Sequence, residues 1–506
     1  MQRSPSAPTQ TARFPQPLDR IAIAFILALV VIVGAVLVTG NRIAPRVRYF
    51  TWQDKQVGAD DTAFVISFSR PMNQASVEKN LKIEPVLPGR VSWAGRRMAY
   101  TLNAPAPYGT TYTVKLQDAI DYFTQDETNQ IPIQTFDGTF RSRDRAFAYI
   151  GVQGEEAGRL VLVNLTTQET TILTPSDLVV NEFEPYPMGD LILFGATSRA
   201  AESQGLLEQK LYRVSTGIRV TPPDQLDPQG TIDPVKVAEP KPAKELELIV
   251  DSDTHQNLKF DLSADGKTIV VQRINRNDPA DFGPWLIREG ESPQPLKGQP
   301  GGDFLITPDS DSLAISQGQG LAILPLYPDA KPIDFLPRFG VVLNFSRDGM
   351  LAAMVKFNGD RSRSLFLVSS QGTQKELLRT TGSIFSAQFD PSKKTLYCLL
   401  SELLPGETYQ EKPFLAAIDV ETGKVTPLLP LPNQRDVQFS LSPDGLALLF
   451  DQTTETNQVE ASSPQTRGGK TIANSQLWVL PINASDRSKL QAEALPIAGL
   501  RPRWMP

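Results

Sequence analysis

The chain has 506 residues, 40 % of them apolar and 21 % charged, with a formal net charge of −6 and a pI near 5.2. That length predicts more than one folded unit, and that composition supports packed cores and argues against wholesale disorder. An acidic chain with no basic stripe is a poor nucleic-acid binder, and one cysteine (Cys398) with one histidine (His255) rules out an intramolecular disulfide and a multi-histidine zinc site.

Residues 1–20 form a short polar tail with four prolines. From Ile21 to Asn41 no charged residue occurs, and the run Ile21 to Val38 is apolar on every side. The expectation is a single transmembrane helix over residues 21–40, in contact with membrane lipid through 21–38 and retained as a signal anchor. The chain would then be a single-pass protein of a bacterial cell membrane, with its bulk periplasmic or otherwise extracytoplasmic.

After the anchor the hydrophobic period drops to two. Phe64, Ile66 and Phe68 alternate with their neighbours, as do Tyr112, Val114 and Leu116. Turn signals at Arg70-Pro71, Pro88-Gly89, Ala94-Gly95 and Tyr108-Gly109 cut residues 48–140 into short strands, the pattern of a small β-sandwich. The segment Phe68-Ser69-Arg70-Pro71-Met72-Asn73-Gln74-Ala75-Ser76-Val77 resembles the opening signature of bacterial Ig-like domains of the S-layer (SbsA-like) type, and Pro88 to Trp93 and Pro107 to Val114 continue it in order. The resemblance implies a spacer or adhesive unit without catalysis, with Trp93 and Tyr112 in its core.

Residues 141–506 repeat. Leu262-Ser263-Ala264-Asp265-Gly266, Phe345-Ser346-Arg347-Asp348-Gly349 and Leu441-Ser442-Pro443-Asp444-Gly445 are strong copies, each followed by an apolar run. Weaker copies surround Asp309, Ser392 and Met188. Asp-Gly between apolar runs signals a two-residue hairpin, and each unit reads as four antiparallel strands. Aligned positions at 144, 188, 265, 309, 348, 392 and 444 are spaced by 44, 77, 44, 39, 44 and 52 residues. Four strands every 40–50 residues predict a β-propeller of seven blades, with an insert near 222–250 in the long step. The units resemble TolB-type periplasmic propellers and the propellers of prolyl-oligopeptidase-like enzymes. A hydrolase of the latter kind needs a Gly-x-Ser-x-Gly elbow, and none occurs.

The expected fold is therefore all-β: a single N-terminal transmembrane helix, an Ig-like β-sandwich, then a seven-bladed β-propeller closed by the C-terminal strand, with Trp504 at the seam. No catalytic, cofactor-binding or metal-ligating residue is expected, and no cofactor. Asp265, Asp309, Asp348 and Asp444 read as turn residues. His255 falls in a polar loop that fails the calcium-loop pattern, Cys398 in an apolar strand, and Asn164 and Asn344 in chance glycosylation motifs. Long segments at 196–209, 222–256, 273–283, 401–412 and 452–475 are expected on one face, the one bearing second-to-third-strand loops and inter-blade links. The expectation is a membrane-anchored, non-enzymatic binding or scaffold protein that engages an envelope protein or a cell-wall glycan through that face, and no nucleic acid. The alternative is an envelope hydrolase or lyase with a carboxylate site in the channel, marked by paired carboxylates of raised pKa.

Overall fold

The computed structural model describes residues 17–40, 43–123, 131–204, 208–226, 232–233, 241–296, 301–318, 320–327, 334–336, 338–406, 410–431, 437–456, 471–482 and 490–506. A helix, Pro17–Gly40, precedes a chain built almost wholly of strands.

The amino-terminal expectation is corrected. Among the described residues no helix is long and apolar enough to cross a membrane. Side chains of the helix are described over 20–35, all exposed. The run of apolar residues is real, but a transmembrane helix over 21–40 is not supported.

Two four-stranded sheets pack face to face over residues 47–142. One orders Val47–Phe50, Ala63–Phe68, Arg97–Leu102 and Gly89–Ala94; the other orders Gln56–Val57, Phe136–Ser142, Thr111–Leu116 and Leu81–Glu84. Alternation turns Phe64, Ile66, Phe68, Tyr112, Val114 and Phe140 inward, onto Trp52 and Phe50. Tyr112 is buried, whereas Trp93 packs half-buried at the margin, stacked on Phe68 with its Nε1 donating to Glu78. The signature segment has a structural reason at each step. Phe68 ends a strand, Arg70 pairs with Asp121 at 3.0 Å, and Met72 is buried. Asn73 Oδ1 then accepts from Ser76 N at 3.0 Å and caps the helix Gln74–Asn80, which sinks Val77 into the core.

Seven further four-stranded antiparallel sheets follow. Their first strands are, from sheet two to sheet seven, Leu178–Pro185, His255–Leu262, Phe304–Ile306, Val341–Phe345, Ile384–Phe389 and Phe439–Leu441. In sheet one that place is taken by Gly499–Trp504, which pairs with Ala146–Gly151. Separate hydrophobic clusters join sheet one to two, two to three, and so on to seven. A last cluster joins seven to one through Ala447, Leu449, Leu477, Phe147 and Trp504. The sheets meet by side-chain packing: among the described residues they share no ladder and form no closed barrel. The C-terminal strand pairs with the first sheet as expected, but the expected seven-bladed β-propeller is corrected to seven separate four-stranded sheets.

The repeated turns differ in form from the expected two-residue hairpin. In sheet three Ser263 N–H donates to Thr268 O and Gly266 N–H to Ser263 O, so five residues lie between the strands. Only the glycine takes a positive φ, 71° at Gly266, 69° at Gly349 and 74° at Gly445. In the weaker copies Ser310 and Lys393 occupy that left-handed place, at 65° and 61°.

The insert is also displaced from its expected place. Sheet two runs Leu178–Pro185, Leu191–Ser198, Lys210–Ser215 and Leu246–Val250. Residues 216–245 therefore join its third strand to its fourth, on the face of the Asp-Gly turns. The spacing of the repeats predicts a whole unit before the insert, but the closing strand Leu246–Val250 follows the proline-rich stretch.

Candidate functional site

The turn aspartates act as turn residues. Asp265 Oδ1 accepts from Ser263 Oγ at 2.6 Å and Lys267 N at 3.0 Å; Asp309 and Asp348 repeat the pattern with Thr307 and Asp311, and with Ser346 and Met350. Asp444 does this and more. Its Oδ1 holds Ser442 and Leu446, while Oδ2 accepts from Arg145 at 2.7 Å and from the backbone N–H of Tyr108 at 3.0 Å. Tyr108 lies in the Ig-like unit, so a turn residue of sheet seven fastens the two units together.

Other contacts reinforce that junction. Arg143 donates to Pro187 O at 2.7 Å, and Gln56 exchanges hydrogen bonds with Thr221 of the insert. Asp224 binds Lys55 at 2.9 Å and Tyr49 OH at 2.5 Å. Burial and that carboxylate raise the Tyr49 hydroxyl far above its ordinary range. A cleft of about 380 Å³ remains between the units, lined by Lys55, Thr139 and Arg141 on one side and Arg219 and Thr221 on the other. The Ig-like unit and the insert are thus fastened to the face of the turns, at sheets seven and two.

Where first strands of neighbouring sheets lie side by side, sequence reading missed a polar position. The next-to-last residue of each first strand is Arg503, Glu184, Asp261, Leu305, Asn344, Gln388 or Ser440. Arg503 pairs with Glu184. Asp261 accepts from Ile306 N at 2.7 Å. Gln388 takes Leu441 N at 2.7 Å and gives to Phe439 O at 3.1 Å, and Ser440 Oγ accepts from Trp504 N at 3.1 Å. Each of these bonds crosses from one sheet to the next. Burial pushes the Glu184 carboxyl up to about 7 against the pull of Arg503, and burial raises Asp261 also. Asp451, pushed up to about 6 by burial, accepts from Gln438 N and Arg501 N and ties sheet seven to the C-terminal strand. Two carboxylates of raised pKa, Glu184 and Asp261, stand here, and their oxygens are engaged in holding sheets together. The signal was available: the position lies one residue before each quoted repeat.

The opposite face carries the second-to-third loops. The segment 199–209 begins with the helix Arg199–Ser203, which Ser198 caps, and 276–281 and 404–410 open from sheets three and six. Residues 205–207, 407–409 and 457–470 of the expected loops, and 227–231 and 234–240 of the insert, lie outside the described residues. The described ends of four of the five long segments belong to this face; the described part of the insert belongs to the other. His255 opens the first strand of sheet three on this face, its ring edge-on to Trp285 at 4.9 Å. Cys398 is fully buried, and burial raises its thiol far above the ordinary range. Asn164 is nearly buried, with its amide bound to Asp144, Thr166 and Thr167. Among the described residues no group of three or more His, Cys, Asp or Glu side chains is placed to hold a metal ion.

A family model for the bacterial Ig-like domain matches residues 41–139. It defines that part of the chain as a bacterial Ig-like domain; likeness to the SbsA type in particular is not shown. No curated protein matches the chain. Among solved structures, TolB from Acinetobacter baumannii is 12 % identical, covering 84 % of this chain and 83 % of its own, with a TM-score of 0.39. An oligogalacturonate lyase from Vibrio parahaemolyticus is 11 % identical over 61 % of this chain and 87 % of its own, with a TM-score of 0.41. A putative 6-phosphogluconolactonase from Bacteroides uniformis is 12 % identical over 72 % and 99 %, with a TM-score of 0.41. At this identity and TM-score these likenesses carry nothing about fold, activity or partner.

Proposed function

We propose that this is a non-enzymatic binding or scaffold protein of the bacterial envelope, acting outside the cytoplasm. Its partner is an envelope protein or a cell-wall glycan, and its binding face is the one away from the Ig-like domain. One observation carries the reading: the Ig-like domain and the insert are fastened to the turn face, at Asp444, Pro187 and Asp224, and leave the loops of the opposite face open on a rigid scaffold. A photo-cross-linking residue placed in cells at exposed Asp278 or Leu404 should capture a partner, and the same residue at Asp309 or Ser392 on the turn face should not. Equal capture from both faces, or capture from the turn face alone, overturns the assignment.

A second reading, an envelope hydrolase or lyase, rests on Glu184 and Asp261 with their raised carboxyl groups. It requires an activity that Glu184→Gln abolishes without unfolding the chain.

A further inference from the structure

Sheet three presents an unusual polar group at its end remote from the Ig-like domain. Its register pairs Asn257 with Arg273, Arg273 with Gly283, and Val271 with Trp285. Alternation places Asn257, Arg273, Gly283 and Trp285 on one face, the face whose Val271 packs against Leu193 and Leu211 of sheet two. His255, paired with Asn275, belongs to the same face. The group therefore caps the seam between sheets two and three.

Five buried side-chain polar atoms among the described residues lack a hydrogen-bond partner, and three of them are here: Asn257 Oδ1, Arg273 Nε and His255 Nε2. Asn257 is 2 % exposed and Arg273 5 %. Native interiors pair such atoms, so their clustering points to something they bind. Their orientations are held by their other atoms. Asn257 Nδ2 donates to Gln209 O at 2.8 Å and Asp251 O at 2.9 Å, and Arg273 Nη2 reaches Asp251 O at 3.5 Å. The guanidinium lies 5.0 Å from the Trp285 ring centroid. His255 Nδ1 meets Thr254 Oγ1 at 2.9 Å, and Nε2 stands 3.5 Å from Asp281 Oδ2. On the same face, at Gly283, which pairs with Arg273, there is open space: a Cβ there would meet nothing within 4 Å.

A buried donor, Arg273 Nε–H, and a buried acceptor, Asn257 Oδ1, thus sit on register-paired residues. A hydroxyl group satisfies both at once, because it accepts and donates from one atom. A peptide amide presents its N–H and C=O in opposite directions and suits the pair less well. An anionic group would meet the carboxylates of Asp251 and Asp281, whereas hydroxyl groups can donate to them. We propose that this seam is a carbohydrate site that takes a neutral sugar, one hydroxyl bridging Arg273 Nε and Asn257 Oδ1 and a neighbouring hydroxyl reaching His255 and Asp281. It rests on the binding reading above and names the ligand class for that same face.

The test uses the full chain and intrinsic tryptophan fluorescence, with neutral trisaccharides of glucose, galactose, mannose and N-acetylglucosamine as probes. Trigalacturonate and tri-alanine serve as acidic and peptide comparators. At least one neutral trisaccharide should give a saturable change that Trp285→Phe removes. Arg273→Met should weaken it at least tenfold. Gly283→Val, which fills open space on a strand, should do the same with unchanged circular dichroism, and it decides the matter if Arg273→Met does not fold. The proposal falls if no neutral trisaccharide registers, if the change survives Trp285→Phe or Gly283→Val, or if either comparator binds more tightly. Such a failure with cross-linking still confined to Asp278 and Leu404 leaves the binding reading standing and removes only the sugar.

Discussion

Trp504 closes the seam between the first and seventh sheets, and its replacement measures what that seam contributes. The side chain is 8 % exposed, packs among Phe147, Leu449 and Leu477, and meets Phe147 edge to face at 5.6 Å. Truncating a buried aromatic of this kind costs about 3–5 kcal/mol. With roughly 360 residues in the seven sheets and about 2.1 cal/mol/K of unfolding entropy per residue, 1 kcal/mol corresponds to about 1.3 °C. Trp504→Ala should therefore lower the melting temperature by about 4–7 °C in calorimetry. Trp504→Phe should behave differently. It keeps a ring against Phe147 and removes the indole N–H, which is buried without a partner. Leaving such a group unpaired costs about 1–3 kcal/mol, so the lost contact area and the relieved penalty nearly cancel, and the shift should stay within about 2 °C. The backbone bond from Trp504 N to Ser440 Oγ persists in both variants. A Trp504→Ala melt within 1 °C of wild type, or a Trp504→Phe drop as large as that of alanine, refutes the reasoning.

Burial raises the Glu184 carboxyl to about 7 and that of Asp451 to about 6. Both groups prefer to be protonated in the folded state, so their stabilisation is complete below pH ~4 and is lost as pH climbs through those values. Melting temperatures recorded from pH 4 to pH 8 should fall over that window, and Glu184→Gln should flatten the upper part; an unchanged profile would contradict the assignment. Asp444→Ala strands Arg145 and the Tyr108 N–H, and because Arg145 is 31 % exposed the loss should be about 2–3 kcal/mol, against about 1 kcal/mol for the simple turn residue Asp265→Ala. Urea unfolding midpoints compare the two, and equal losses would mean that Asp444 does not join the units. Asp224→Ala frees the insert from Lys55 and Tyr49 at about 1 kcal/mol, so trypsin should cut at Lys241 and Lys244 roughly fivefold faster, and an unaltered rate would place the anchor elsewhere.

Local chemistry, legible in one dimension, determined much of this protein. Alternating apolar residues, glycines that must take positive φ and aspartates that satisfy turn N–H groups marked the Ig-like unit and the repeated turns without reference to any neighbour. They also pointed to the C-terminal strand, since Gly499–Trp504 has the pattern of a first strand that lacks its turn. Tertiary structure decided whatever depends on which segments meet. The fourth strand of sheet two was hidden behind the insert, because strand pairing across some thirty residues leaves no mark in spacing. Asp444 reads like Asp265 in sequence, and only the approach of Tyr108 and Arg145 makes it a fastening between units. The next-to-last position of each first strand is polar in six sheets and Leu305 in sheet four, so it has no common letter. Its role as the link from sheet to sheet comes from the adjacency of those strands. The same holds for Asn257 and Arg273, which are 16 residues apart and acquire meaning from a register that sets them side by side.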